Sequence, residues 1–240
     1  MRIILIFLFF LLNRIEIQAS AFWMEVIPPA KNSELVTVRV SYGYIDNLSI
    51  RHRTNRTEFE SIKMFDFNIR ASSGKETALL LTKKEDYWEG TFTAKANTYY
   101  QIIGINKKLP VIVRNEKDSS KNIRSIEYLY GEYGATSLQS TLPIWTEGPY
   151  IQLTQQNDHY QIRAYIYGRH PTEESTIRIF NPENWEKNIA VDSSAHMIFR
   201  ATQKGMYVVR LDWYENTPGN IEGVPFMRIR HRCNYCLNLY

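Results

Sequence analysis

Val36-Thr37-Val38-Arg39-Val40-Ser41-Tyr42 alternates branched or aromatic side chains with polar ones at every second position. Period two is the mark of a strand with unlike faces: Val36, Val38, Val40 and Tyr42 point one way, Thr37, Arg39 and Ser41 the other. Outward from it, residues 63–70, 77–82, 87–94 and 98–105 repeat the pattern. Ser73-Gly74 and the polar stretches 83–86 and 95–97 supply the turns between them. A second series begins near Tyr150 and runs through Tyr160, Ile162, Ala164 and Ile166, then Ile177 and Ile179, Met197 and Phe199, and finally Tyr207, Val209, Leu211 and Trp213. Residues 205–214 and 224–239 read as a closing strand pair, joined through Pro218-Gly219 and Gly223. The stretch 123–138 fits either crossing strands or a short helix. No ten-residue amphipathic helix separates the strands, which favours an all-β chain of two β-sandwich regions over an α/β layout with a parallel sheet. The expected organisation is an N-terminal sandwich over 22–115, a connecting segment over 116–146 and a C-terminal sandwich over 147–240.

Composition agrees. In a chain of 240 residues, 44% hydrophobic and 22% charged, there is ample material for a core and no disordered signature. Tyr, Phe and Trp make up 13% of the residues, and such rings pack well on a pleated surface. Lys and Arg exceed Asp and Glu by only 29 to 25, with no basic run, so a nucleic-acid footprint is missing.

Residues 1–21 read as an export signal. Arg2 is followed by an apolar run from Ile3 to Leu12, and Ala19-Ser20-Ala21 offers small residues to a signal peptidase. Ten helical residues cover about 15 Å, half of a bilayer core, and Asn13, Arg14 and Glu16 follow directly. Cleavage is expected near Ala21, giving a soluble periplasmic or extracellular protein from Phe22 onward with no transmembrane segment. No cysteine stands at the new N-terminus to carry a lipid.

The opening Ala21-Phe22-Trp23-Met24-Glu25, the Val36 to Val40 alternation and Gly43 resemble domain-of-unknown-function family 4198, the NikM-like exported components of nickel uptake. Gly168-Arg169-His170-Pro171, Thr176-Ile177-Arg178-Ile179, Trp185, Asp192, Lys204-Gly205-Met206-Tyr207-Val208-Val209 and Arg230-His231 follow in the family's order. The resemblance implies immunoglobulin-like or prealbumin-like sandwich regions, the second with transthyretin-type build, and a non-enzymatic envelope protein assisting uptake of a metal ion beside a transporter. Where family members commonly carry a His before the Phe-Trp pair, this chain has Ser20.

The densest group of soft ligands is His231-Arg232-Cys233-Asn234-Tyr235-Cys236. Imidazole and thiolates suit Ni or Zn, so His231, Cys233 and Cys236 are the candidate metal ligands, with a fourth to come from elsewhere. The alternative is a Cys233–Cys236 disulfide, which requires a turn at Asn234-Tyr235: an extended strand puts the two Cα atoms about 10 Å apart. His231 also shares the apolar strand face with Met227, Ile229 and Cys233, which suits a core histidine. Arg228, Arg230 and Arg232 on the opposite face form either a solvated edge or a docking stripe for an anionic partner. Glu215 and Glu222 flank the last loop as possible hard-metal ligands. No nucleophile with a supporting motif occurs, so a binding protein is expected over an enzyme. A carbohydrate- or protein-binding module, stacking exposed aromatics on its partner, is the alternative function.

Overall fold

The computed structural model describes residues 19–31, 33–46, 48–115, 118–134, 142–157, 159–171, 175–190 and 196–239. Asp192 lies outside them. Among the described residues the fold is all-β: sheets packed face to face, with one four-residue helix, α1 (Thr57–Glu60), and short 3-10 turns. Among the described residues no helix is long and apolar enough to cross a membrane.

The alternating stretch around Val38 lies in β2 (Leu35–Ile45), which pairs along its whole length with β1 (Ala19–Ile27). Its other edge takes β7 (Trp88–Thr93) and then β3 (Arg51–Arg53), while β6 (Thr82–Lys83) continues beyond β7. Val36, Val38 and Val40 are fully buried. Each such side chain contributes about 1.5–3 kcal/mol relative to exposure.

A second sheet has eight strands, in the order β13 (Glu186–Ala190), β12 (Thr176–Phe180), β15 (Gly205–Glu215), β18 (Arg228–Leu239), β9 (Ile123–Gly134), β8 (Tyr99–Asn106), β4 (Asp66–Ala71) and β5 (Glu76–Ala78). All neighbours are antiparallel except β18 and β9, which run parallel. A third sheet comprises β10 (Pro149–Gln156), β11 (His159–Ile166) and β14 (His196–Phe199), and β16 (Gly219–Ile221) with β17 (Val224–Phe226) forms a small hairpin.

The eight-stranded sheet is the middle of three layers. Ile102, Leu129, Phe180, Val208 and Cys236 project from one face into a core shared with β1 and β2. Ile103, Tyr128, Val209, Cys233 and Tyr235, each offset by one position or an odd number of positions along its strand, project from the other face against β10 and β11. A strand buried on both faces carries apolar residues without alternation, which accounts for Tyr128-Leu129-Tyr130 and Tyr207-Val208-Val209.

This arrangement departs from the expected organisation. The stretch 116–146, expected to connect two regions, supplies β9 at the centre of the large sheet, joined to β8 on one side and β18 on the other. Strands from both halves therefore share one sheet, on which each smaller sheet packs. The stretch 123–138, open between strands and helix, forms a single strand as far as Gly134.

The start of β1 also bears on processing. Ala19, Ser20 and Ala21 already pair with Ile45, Tyr44 and Gly43, and Ser20 O accepts a hydrogen bond from Arg232 Nη1 at 3.2 Å. Cleavage after Ala21 removes those three pairs and that bond.

Candidate functional site

The residues singled out in 228–236 all lie on β18, and the alternation of a strand sorts them onto two faces. His231 and Cys233 face the β10 side, whereas Cys236 faces β1. The three therefore do not converge on one metal ion. No turn interrupts β18 at Asn234-Tyr235, since Cys233 pairs with Leu211 and Cys236 with Val208 in unbroken register. Both cysteines are free and buried, so the disulfide alternative is corrected as well. Burial pushes the Cys233 thiol well above its ordinary value and the Cys236 thiol up to about 11, which keeps both protonated and poor as ligands. Cys236 Sγ accepts from the Met24 N–H at 3.3 Å, a structural role. Among the described residues no group of three or more His, Cys, Asp and Glu is placed to hold a metal.

His231 is a core histidine. Its Nε2 lies 3.1 Å from Glu215 Oε2 and its Nδ1 3.1 Å from Tyr128 Oη. The carboxylate only accepts, so Nε2–H donates to it and Nδ1 of the neutral ring accepts the Tyr128 O–H. Trp213 packs on the ring at 4.6 Å between centroids. Burial lowers the His231 pKa, and the bond to Glu215 opposes that in part. Glu222 stays apart, in the turn of the β16–β17 hairpin with φ of 51°.

The docking stripe is not a stripe. Only Arg228 is exposed, lying over the Tyr214 ring. Arg230 Nη2 donates to Ser125 Oγ at 3.1 Å and lies 3.9 Å from the Glu127 carboxylate. Arg232 Nε donates to Asp212 Oδ1 at 3.2 Å, and Arg178 Nη2 to Asp212 Oδ2 at 2.7 Å. Burial raises the Asp212 carboxyl, but Arg232, Arg210 and Arg178 outweigh it and bring it below the ordinary value. Covered by β1, this face of the sheet is an internal ion network, with its charges spent on each other.

One member of that row lacks an ion partner. Arg210, on β15, is 5% exposed, and its Nε donates to Asn234 Oδ1 at 2.8 Å. Asn234, fully buried, uses its Nδ2 to donate to Phe22 O at 2.9 Å, so one side chain joins the arginine to β1. Among the described residues the two terminal nitrogens of Arg210 have no hydrogen-bond partner, and Arg210 lines a cavity of about 30 Å³ between β1, β2 and β3 on one side and β12 and β15 on the other. Ala21, Phe22, Trp23, Tyr44 and Phe180 help to wall it, and Arg51 from β3 completes it. Arg51 stacks 5.5 Å over Trp23 and Arg210 5.0 Å over Phe180, an arrangement that leaves the edges of the guanidinium planes free to donate. Burial pushes the Arg210 pKa down to about 9, with Arg232 adding to the effect. Burial also lowers Arg51, which has no carboxylate partner. Gly43 sets the wall: a Cβ there would lie 1.8 Å from the His52 carbonyl oxygen and 2.7 Å from the Trp23 ring.

Sequence reading did not find Arg51 or Arg210. The available signal was a lone arginine in Val208-Val209-Arg210-Leu211, a strand apolar on both faces. The other histidines stay scattered: His52 pairs with Asp46 at 2.7 Å and His170 stacks on Tyr165. Of the five tryptophans only Trp185 is strongly exposed, at 71%.

No family model and no curated protein matches the chain. Among solved structures, the chicken interferon gamma receptor alpha chain aligns over 85% of this chain and 92% of its own, at 13% identity and a TM-score of 0.24. That value is too low to bear on function.

Proposed function

We propose that the protein is a non-enzymatic binding protein of the cell envelope, exported by residues 1–21, and that its ligand occupies the cavity between Arg51 and Arg210. The observation that carries this reading is Arg210, nearly fully buried with its terminal nitrogens turned to a cavity instead of a carboxylate. A guanidinium removed from water with no carboxylate in contact is costly, and a ligand that supplies one recovers that cost. The assistance to nickel uptake implied by the family resemblance has no assembled donor set in His231, Cys233 and Cys236. Among the described residues the carbohydrate-stacking alternative has Trp185 as its one strongly exposed tryptophan and Tyr167 as a second, partly exposed ring whose face meets Trp213 edge-on.

The test is a thermal-shift screen of the purified protein against a library of small metabolites and salts, run in parallel on Arg210→Met. Compounds that raise the midpoint of the native chain and leave the variant unmoved support the reading. A screen in which no stabilising compound depends on Arg210 overturns it. Export is tested by fractionation with N-terminal sequencing: Phe22 at the new terminus outside the cytoplasm is expected, and recovery inside with the leader attached refutes it.

A further inference from the structure

Resting on the reading of this cavity as the ligand site, we infer that its ligand is a small planar monoanion, of the size and shape of formate, acetate or nitrate. Charge sets the valence. On the covered face of the large sheet, Arg178, Arg210, Arg230 and Arg232 stand against Asp212 and Glu127, with Glu186 reaching Arg178 from the exposed edge strand, four cations to three carboxylates. The three carboxylates lie with Arg178, Arg230 and Arg232, so the surplus charge resides on Arg210. One negative charge balances it. Arg51 at the cavity's other wall is only half-buried and retains solvent for its own charge.

Shape and size narrow the class. About 30 Å³ of space holds roughly two water molecules, enough for an ion of three or four heavy atoms and too little for a sugar or an aromatic acid. The guanidinium edge presents parallel N–H donors matched to two oxygens of a planar anion. The walls are the rings of Trp23, Tyr44 and Phe180 with Val208, which cannot replace the hydration shell of a tetrahedral dianion but tolerate a weakly hydrated flat one. The same surplus positive charge repels a metal cation.

The experiment is a titration of the purified protein, both with Ala21 retained and cleaved to begin at Phe22, since both residues line the cavity and cleavage adds the Phe22 α-ammonium to it, with sodium formate, acetate and nitrate at constant ionic strength, balanced with sodium fluoride. Trp23 fluorescence and the thermal midpoint are the two readouts. Saturable binding of at least one of the three is expected, weakened at least tenfold in Arg51→Gln and lost in Arg210→Gln. Asn234→Asp places a carboxylate of the chain beside Arg210, and loss of binding there is expected even should Arg210→Gln fail to fold. If sulfate or phosphate saturates in an Arg51-dependent manner and the planar ions do not, the ligand class is wrong while the cavity remains the site. If none of these salts binds and the metabolite screen finds no Arg210-dependent compound, both readings fall.

Discussion

Replacing Asn234 by Leu tests the join between the large sheet and β1. Leu keeps the branching of Asn at Cγ but is the larger side chain, so the change removes two hydrogen bonds, Arg210 Nε to Oδ1 at 2.8 Å and Nδ2 to Phe22 O at 2.9 Å, and adds overpacking to their loss. Asn234 is fully buried and water does not reach the orphaned groups. A bond to a charged group is worth about 1.5–3 kcal/mol and a neutral one about 1 kcal/mol, which gives a loss of about 2.5–4 kcal/mol from the bonds alone. For a chain of this size each kcal/mol moves the thermal midpoint by about 2–4 °C, so a fall of roughly 5–16 °C is expected. Equilibrium urea unfolding followed by tryptophan fluorescence measures the free energy directly. Asn234→Asp retains the acceptor for Arg210 and loses only the donor to Phe22, so its cost should be much smaller. A loss under about 1 kcal/mol for the Leu variant, or equal losses for Leu and Asp, refutes the assignment of Asn234 as the bridge.

Gly43→Ala drives a methyl group into the His52 carbonyl and the Trp23 ring, and should destabilise the protein by about 2–3 kcal/mol in the same urea assay while weakening anion binding through displacement of β3; an unchanged midpoint contradicts the packing. His231 has a folded pKa below its ordinary 6.5, so the unfolded chain binds more protons in that interval. Its contribution is complete above pH 6.5 and declines as the pH falls from there toward the folded value. Unfolding free energies should drop between pH 7 and 5 in the native protein and drop less in His231→Gln, and parallel profiles would remove His231 as the cause. Two thiols should react with a chromogenic disulfide reagent in denaturant and none in buffer, and zero in denaturant would restore the disulfide.

The strands were legible where their two faces differ. Val36 to Tyr42 alternates because one side of β2 meets the core and the other is more open, and the closing pair of β15 and β18 followed from the same period. What lay beyond reading was β9 and its place in the middle layer. Tyr128-Leu129-Tyr130 in β9 has no alternation to detect, because both faces are covered, and its parallel pairing with β18 leaves no local signature. The geometric condition on Cys233 and Cys236 was readable in advance: three positions along an extended strand put them on opposite faces, and the structure holds them there. The arginines of β18 misled because a row of like charges looks solvent-directed until Asp212 and Glu127 arrive from neighbouring strands.

The parallel contact between β9 and β18 joins segments 105 positions apart, from Ser125 to Arg230. Until β18 arrives, β9 presents a bare row of amides and carbonyls, the kind of edge that recruits foreign strands. Assembly of the large sheet is thus governed by a late, distant insertion and is expected to be slow, with a vulnerable half-built intermediate. Truncations ahead of Arg228 should therefore give aggregates in place of a smaller folded unit.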